Sequence, residues 1–119
     1  MKAVFGNNDA DIFKHLHKPG NIIFYDRFYI DEHFGRRIAL LHGDPEELAI
    51  ALFESRRYDL LLRGHNHVAE IRKNEKTLMI NPGSLIGPIA GHNEWTGPSV
   101  AIYESDKNAR IIKLSDVTA

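Results

Sequence analysis

Along the chain, apolar residues gather in short runs that stop at Gly, Pro, Asn or Asp, and one stretch alone keeps a clear helical period. Ala3-Val4-Phe5 halts at Gly6 and reads as a buried strand end. Gly6-Asn7-Asn8-Asp9 after it is turn chemistry. Asp11 to His17 reads as a short helix closed by Pro19-Gly20. Ile22 to Tyr25 and Arg27 to Asp31 read as extended, and Glu32-His33-Phe34-Gly35 turns a hairpin into a strand over Arg36 to Leu41. Asp44-Pro45-Glu46-Glu47 is the clearest helix start, with Asp44 as N-cap, Pro45 at the first helical position and a Glu where a capping box wants it. That helix is expected to run to about Arg57 and to bury Leu48, Ala49, Leu52 and Phe53 on one face. Leu60-Leu61-Leu62 reads as a buried strand. Ala69 to Lys73 and Thr77 to Asn81 flank Asn74-Glu75 as a hairpin. A Gly/Pro-rich loop covers Pro82 to Pro98, and Val100 to Tyr103 pairs with Arg110 to Leu114 around Asp106-Lys107-Asn108. No repeat, low-complexity segment or linker interrupts this order, so residues 1–119 are expected to form a single domain.

Composition narrows the function classes. The chain has 119 residues, within the usual range for one domain. Its 15 basic and 16 acidic residues leave a net charge of −1, which argues against a general nucleic-acid binder. A hydrophobic content of 43% is that of a globular protein and excludes intrinsic disorder. The absence of cysteine excludes disulfide scaffolds, thiolate metal sites and thiol nucleophiles. The apolar runs are too short to span a membrane, and no secretory h-region follows Met1. A cytoplasmic protein is the expectation.

The seven histidines are unevenly placed. Three strands end alike: Val4-Phe5 in Gly6-Asn7-Asn8-Asp9, Leu40-Leu41 in His42-Gly43-Asp44, and Leu61-Leu62 in Arg63-Gly64-His65-Asn66-His67. Loops at the carboxyl ends of strands are where open α/β sheets build sites. Each loop holds a Gly, which lets backbone approach closely, and each carries an imidazole or an amide oxygen. A His-x-His pair in such a loop can present two imidazoles to one or two metals. By contrast, His15, His17, His33 and His92 have no comparable context and read as surface or loop residues.

The ordered set Gly6-Asn7-Asn8-Asp9, His42-Gly43, Gly64-His65-Asn66-His67 and Asn81-Pro82-Gly83-Ser84 resembles the calcineurin-like metallophosphoesterases, and within them the small prokaryotic phosphodiesterase branch. The resemblance runs from Ala3 to Leu114. It implies an α/β (α+β) fold, a β-sandwich flanked by helices, and phosphoester hydrolysis by metal-activated water. Carried over residue by residue, Asn7, His42 and His65 resemble ligands of one divalent metal (Mn, Ni, Fe or Zn) and His67 a ligand of a second. Pro82 and Gly83 would shape a turn behind the site. Asn8 stands where relatives carry Cys or His and bears on the leaving group. An Asn amide cannot be a general acid at neutral pH. Asn8 and Asp9 are held as outer-sphere candidates.

The departure from the family lies at the front. The family opens with strands ending in Asp-x-His and Gly-Asp, whose carboxylates include the one that bridges the metals. Neither motif occurs here: the Gly43-Asp44 pair belongs to the His-Gly loop. The chain therefore resembles the C-terminal two-thirds of the domain, a truncated member whose N-terminal strands are missing. The expectation is one weakly held metal and little phosphodiesterase activity from these residues alone. Carboxylates would come from elsewhere, with Asp9 or Asp44 as substitutes. An open edge at Ala3–Phe5 is expected to recruit a second copy, as a homo-oligomer, or a complementary N-terminal polypeptide. The alternative is a non-catalytic scaffold or interaction module of the same fold, as in the retromer subunit that shares it. A metallo-β-lactamase-type site is disfavoured, because Val68-Ala69 follows His67 where that pattern requires Asp.

Overall fold

Three strands whose side chains are almost all apolar, β4 (Arg36–Leu41), β5 (Leu60–Leu62) and β7 (Leu78–Asn81), form the parallel centre of a mixed sheet. The computed structural model describes residues 2–4, 23–25, 27–85, 87, 95–104 and 108–116. Side chains alternate across a strand, so a strand covered on both sides must be apolar at every position. Ala39, Leu41, Leu61 and Met79 face one way and pack with Ala49, Phe53 and Tyr58. Leu60, Leu78 and Ile80 face the other way, with Ile38, Leu62, Ala101, Tyr103 and Ala109 against them. The first cluster lies under helix α1 (Glu46–Ser55). The second lies under an antiparallel ribbon of β8 (Ser99–Tyr103) and β9 (Ala109–Lys113).

Antiparallel strands complete the sheet on each side. β3 (Phe28–His33) pairs with β4 and β6 (Glu70–Lys73) with β7, giving the order β3-β4-β5-β7-β6. The β3–β4 hairpin closes on Phe34 and Gly35, with φ of 51° and 72°. Positive φ at both central residues is the type I′ turn, whose twist suits the flanking strands. A further parallel pair joins β1 (Lys2–Val4) to β2 (Ile23–Tyr25). One edge of the first strand is thus closed by β2, and among the described residues neither strand has another partner. The Asp11–His17 helix falls outside the described residues. The described residues form a mixed α/β fold with few helices, as the resemblance implies.

Helix α1 departs from expectation in three ways. Its N-cap is Pro45, not Asp44, and no side chain caps it. The Asp44 carboxylate is engaged elsewhere, by Arg27 Nη2 at 2.8 Å. The helix ends at Ser55, two residues early, because Arg56 turns left-handed at φ 57° and donates its N–H to the Phe53 carbonyl. Leu48 is 45% exposed, whereas Ala49 and Phe53 are buried. At about 100° per residue, Leu48 lies roughly a quarter-turn from the centre of the face that Ala49, Leu52 and Phe53 share.

Candidate metal centre

The three parallel strands stop level with one another, so the loops after β4, β5 and β7 meet at one end of the sheet. Gly64 N–H donates to the His42 carbonyl at 2.7 Å, so backbone joins the first two loops. Gly43 is required there. Its φ is +106°, and a Cβ on it would stand 2.7 Å from the Gly64 oxygen. Across this contact the imidazoles of His42 and His65 face each other, Nε2 to Nδ1, at 3.1 Å with ring centroids 5.0 Å apart.

That separation suits two uses. One nitrogen can donate to the other, or both lone pairs can point at a shared cation. Imidazole nitrogens about 2.0–2.1 Å from one cation stand roughly 3 Å apart. The second nitrogen of His65, Nε2, lies 3.9 Å from Asp44 Oδ1, and the imidazole is only 17% exposed. The donor set therefore fits two ligands of one divalent cation. Among the described residues no group of three or more His, Asp or Glu side chains gathers to complete such a shell.

His67 is engaged differently. Its Nδ1 is 2.7 Å from the Gly87 carbonyl, which can only accept, so Nδ1 carries the proton. Nε2 is then the nitrogen with a lone pair, and a carbonyl partner of this kind is how proteins orient a ligating imidazole. His65 and His67 both have left-handed backbone, with φ of 79° and 62°. Asn66 between them is held rigidly. Its Oδ1 accepts from Val68 N–H at 3.0 Å and from Asn81 Nδ2 at 2.6 Å. The Oδ1 of Asn81 accepts from Gly83 N–H at 3.0 Å.

Pro82 and Gly83 sit directly behind these contacts. The Pro82 carbonyl accepts from Ser99 Oγ at 2.7 Å, and Gly83, at φ +86°, has no room for a Cβ against that same hydroxyl. Of the residues singled out by sequence, His42 and His65 come together and His67 follows two residues later. Asn7, Asn8 and Asp9 lie outside the described residues.

Sequence reasoning misses Arg63. Its side chain is 2% exposed, and it grips Glu46 with Nη2 at 2.6 Å and Nη1 at 3.0 Å. A guanidinium directly after an apolar strand is the available signal, since a buried Arg demands a partner. Asn66 and Asn81 stand within recognisable motifs, but their mutual hydrogen bond has no sequence signature.

This architecture, a mixed sheet whose central parallel strands carry histidine-bearing loops at their carboxyl ends, is one on which open α/β domains build sites. The family model of the calcineurin-like phosphoesterase superfamily domain matches residues 1–108, and the chain belongs to that superfamily. It is 27% identical over 110 residues to a curated phosphodiesterase of Methanocaldococcus jannaschii, covering 88% of this chain and 62% of that protein. The chain thus spans less than two-thirds of that relative's length. The solved structure of an archaeal phosphodiesterase superposes with a TM-score of 0.73 at 26% identity, over 95% of this chain and 68% of the other. Vps29 of Entamoeba histolytica, solved with zinc, shares the fold with a TM-score of 0.54 at 20% identity, over 93% of this chain and 79% of that one. Among the described residues no helix is long and apolar enough to cross a membrane.

Proposed function

We propose that this chain carries metal-ligating residues of a phosphodiesterase site that cleaves phosphoester bonds of a small-molecule substrate with metal-activated water, in the cytoplasm. The observation that carries the reading is the His42–His65 pair, held 3.1 Å apart across two loops locked backbone to backbone. His42 and His65, with Asn7, would hold one divalent cation, and His67 would offer Nε2 to a second. When bound, such cations supply Lewis acidity, lowering the pKa of water and stabilising charge on the phosphoryl oxygens. The protein's own part is to orient the imidazoles, through Asn66, Asn81 and the Gly87 carbonyl, and to keep Gly43 and Gly64 in contact.

In this reading the chain alone holds part of the site. Three neutral ligands leave a dication uncompensated, so one cation binds weakly and turnover is slow. Full activity needs carboxylates beyond these ligands.

Calorimetric titration with manganese, nickel and zinc tests the binding. We expect one weak site that His65→Ala abolishes. An unchanged isotherm in that variant would remove the assignment. Hydrolysis of an aryl phosphodiester is expected to be barely above background. A fast manganese-dependent rate lost in His65→Ala would overturn the partial-site reading, whereas binding without any saturable hydrolysis favours the scaffold alternative.

A further inference from the structure

A buried arginine is costly unless every donor it turns inward finds an acceptor. Arg63 meets that condition in a particular way. Its fork binds the Glu46 carboxylate in the first turn of α1, at 2.6 and 3.0 Å. Its Nε donates to the Gly64 carbonyl at 3.1 Å, and Nη2 also faces the Gly43 carbonyl at 3.5 Å. Gly64 directly precedes His65, and Gly43 directly follows His42. One guanidinium therefore reaches the backbone beside both imidazoles and ties it to the helix. The loops are closed around it so tightly that a Cβ on Gly43 would stand 3.0 Å from both Nε and Nη2.

We propose that Arg63, braced by Glu46, is a positioning residue that sets the separation and mutual orientation of the His42 and His65 imidazoles. The proposal deepens the metal-site reading above and rests on it for its consequence, cation affinity. A planar, five-donor group is needed for this task. Lysine offers one compact charge and cannot serve the carboxylate fork and the carbonyls together. Glu46 matters as much as Arg63, because the carboxylate fixes the plane of the guanidinium. A purely stabilising ion pair would not care where the imidazoles end up.

The test compares Arg63→Lys, Arg63→Met and Glu46→Gln with Thr77→Val, at a temperature where all remain folded. Thr77 is fully buried and donates to the Tyr58 carbonyl, so its valine variant loses stability away from the strand-end loops. Cobalt(II), whose visible spectrum reports coordination geometry, is the probe. Arg63→Met and Glu46→Gln should weaken cobalt binding about 10–100-fold, the usual effect of losing an outer-sphere support, and change the spectrum. Arg63→Lys should rescue little, and Thr77→Val should keep the wild-type spectrum. Wild-type affinity and spectrum in the Arg63 and Glu46 variants would overturn the proposal. A second readout needs no metal: the nuclear Overhauser effect between the two imidazoles and their ring ¹⁵N shifts in the apo protein. If the wild-type chain binds no cobalt through His65, the metal-site reading falls, and this readout still decides the positioning role. An Overhauser effect that vanishes in Arg63→Met and persists in Thr77→Val supports it; one that persists in both refutes it.

Discussion

The five-stranded sheet and the β1–β2 pair are both built on parallel strands, yet they are held by different forces. In the sheet, Ala39 and Leu61 are wholly inaccessible and both faces are covered. The β1–β2 pair has three residues per strand, leaves Ile23 54% exposed, and is fastened from outside. Lys2 Nζ reaches Asp31 on β3 at 2.6 Å, and Tyr25 stacks on Tyr29 at 3.8 Å. Hydrophobic burial fixes the first region; among the described residues an exposed ion pair and a half-buried ring stack, individually worth little, fasten the second. A two-stranded pair is marginal by itself. His42, His65 and His67 grow from the sheet, whereas Asn7 lies three residues beyond β1. In the proposed site the three imidazoles therefore inherit core stability.

That contrast can be broken at its strongest point first. Gly43→Ala places a methyl 2.7 Å from the Gly64 carbonyl at a backbone angle of +106°. We expect a loss of about 3 kcal/mol, read by denaturant unfolding, together with separation of the two imidazoles. A neutral result would mean that the loops are not packed as described. Next comes Asn81→Ala. It takes one of two donors from Asn66 Oδ1, which keeps the Val68 N–H, and strips the Gly83 N–H of its acceptor, with Asn81 itself 1% exposed. The expected cost is about 2 kcal/mol, with amide exchange rising in the 64–68 loop and unchanged in β1.

How far these regions are legible in the sequence follows the same division. Continuous apolar runs at Leu60–Leu62 and Leu78–Ile80 announce strands buried on both faces, and the Phe34-Gly35 hairpin is readable from a local turn. The order of Gly, His and Asn motifs locates the strand-end loops. What fails is non-local. Asp44 looks like a cap because capping is judged within four residues, but its partners, Arg27 and His65, lie 17 and 21 positions away. Arg63 resembles any loop cation until Glu46 is brought against it. The parallel match of Lys2–Val4 with Ile23–Tyr25 has no local signature, since hydrophobic period says nothing about which strand lies alongside.

The smallest effect sharpens the other side of the contrast. Lys2 donates to Asp31 and holds its carboxyl below the usual carboxylate range, while Asp31 holds the lysine above its own. With the Asp31 pKa depressed, its contribution is present at neutral pH and fades as pH falls through the depressed value. With the Lys2 pKa raised, the alkaline limit lies above the ordinary lysine value. Acidification should therefore lower the protection factors of the β1 and β2 amides, each rate taken against the intrinsic rate at that pH, before those of β5 or β7. Lys2→Met should remove this acid dependence. Equal protection of β1 and β5 at every pH would make the two regions one cooperative unit.

The left-handed backbone at His65 and His67 sets fold against chemistry. An L-residue with a Cβ at such angles costs about 1 kcal/mol relative to glycine. Glycine at either position would satisfy the turn better and forfeit the imidazole. His65→Gly and His67→Gly relieve this strain but lose the contacts to His42 and to the Gly87 carbonyl, so each is expected to melt within a few degrees of the parent in metal-free buffer and to lose cation binding. In the proposed site, the strain at these two positions is the cost of presenting the imidazoles.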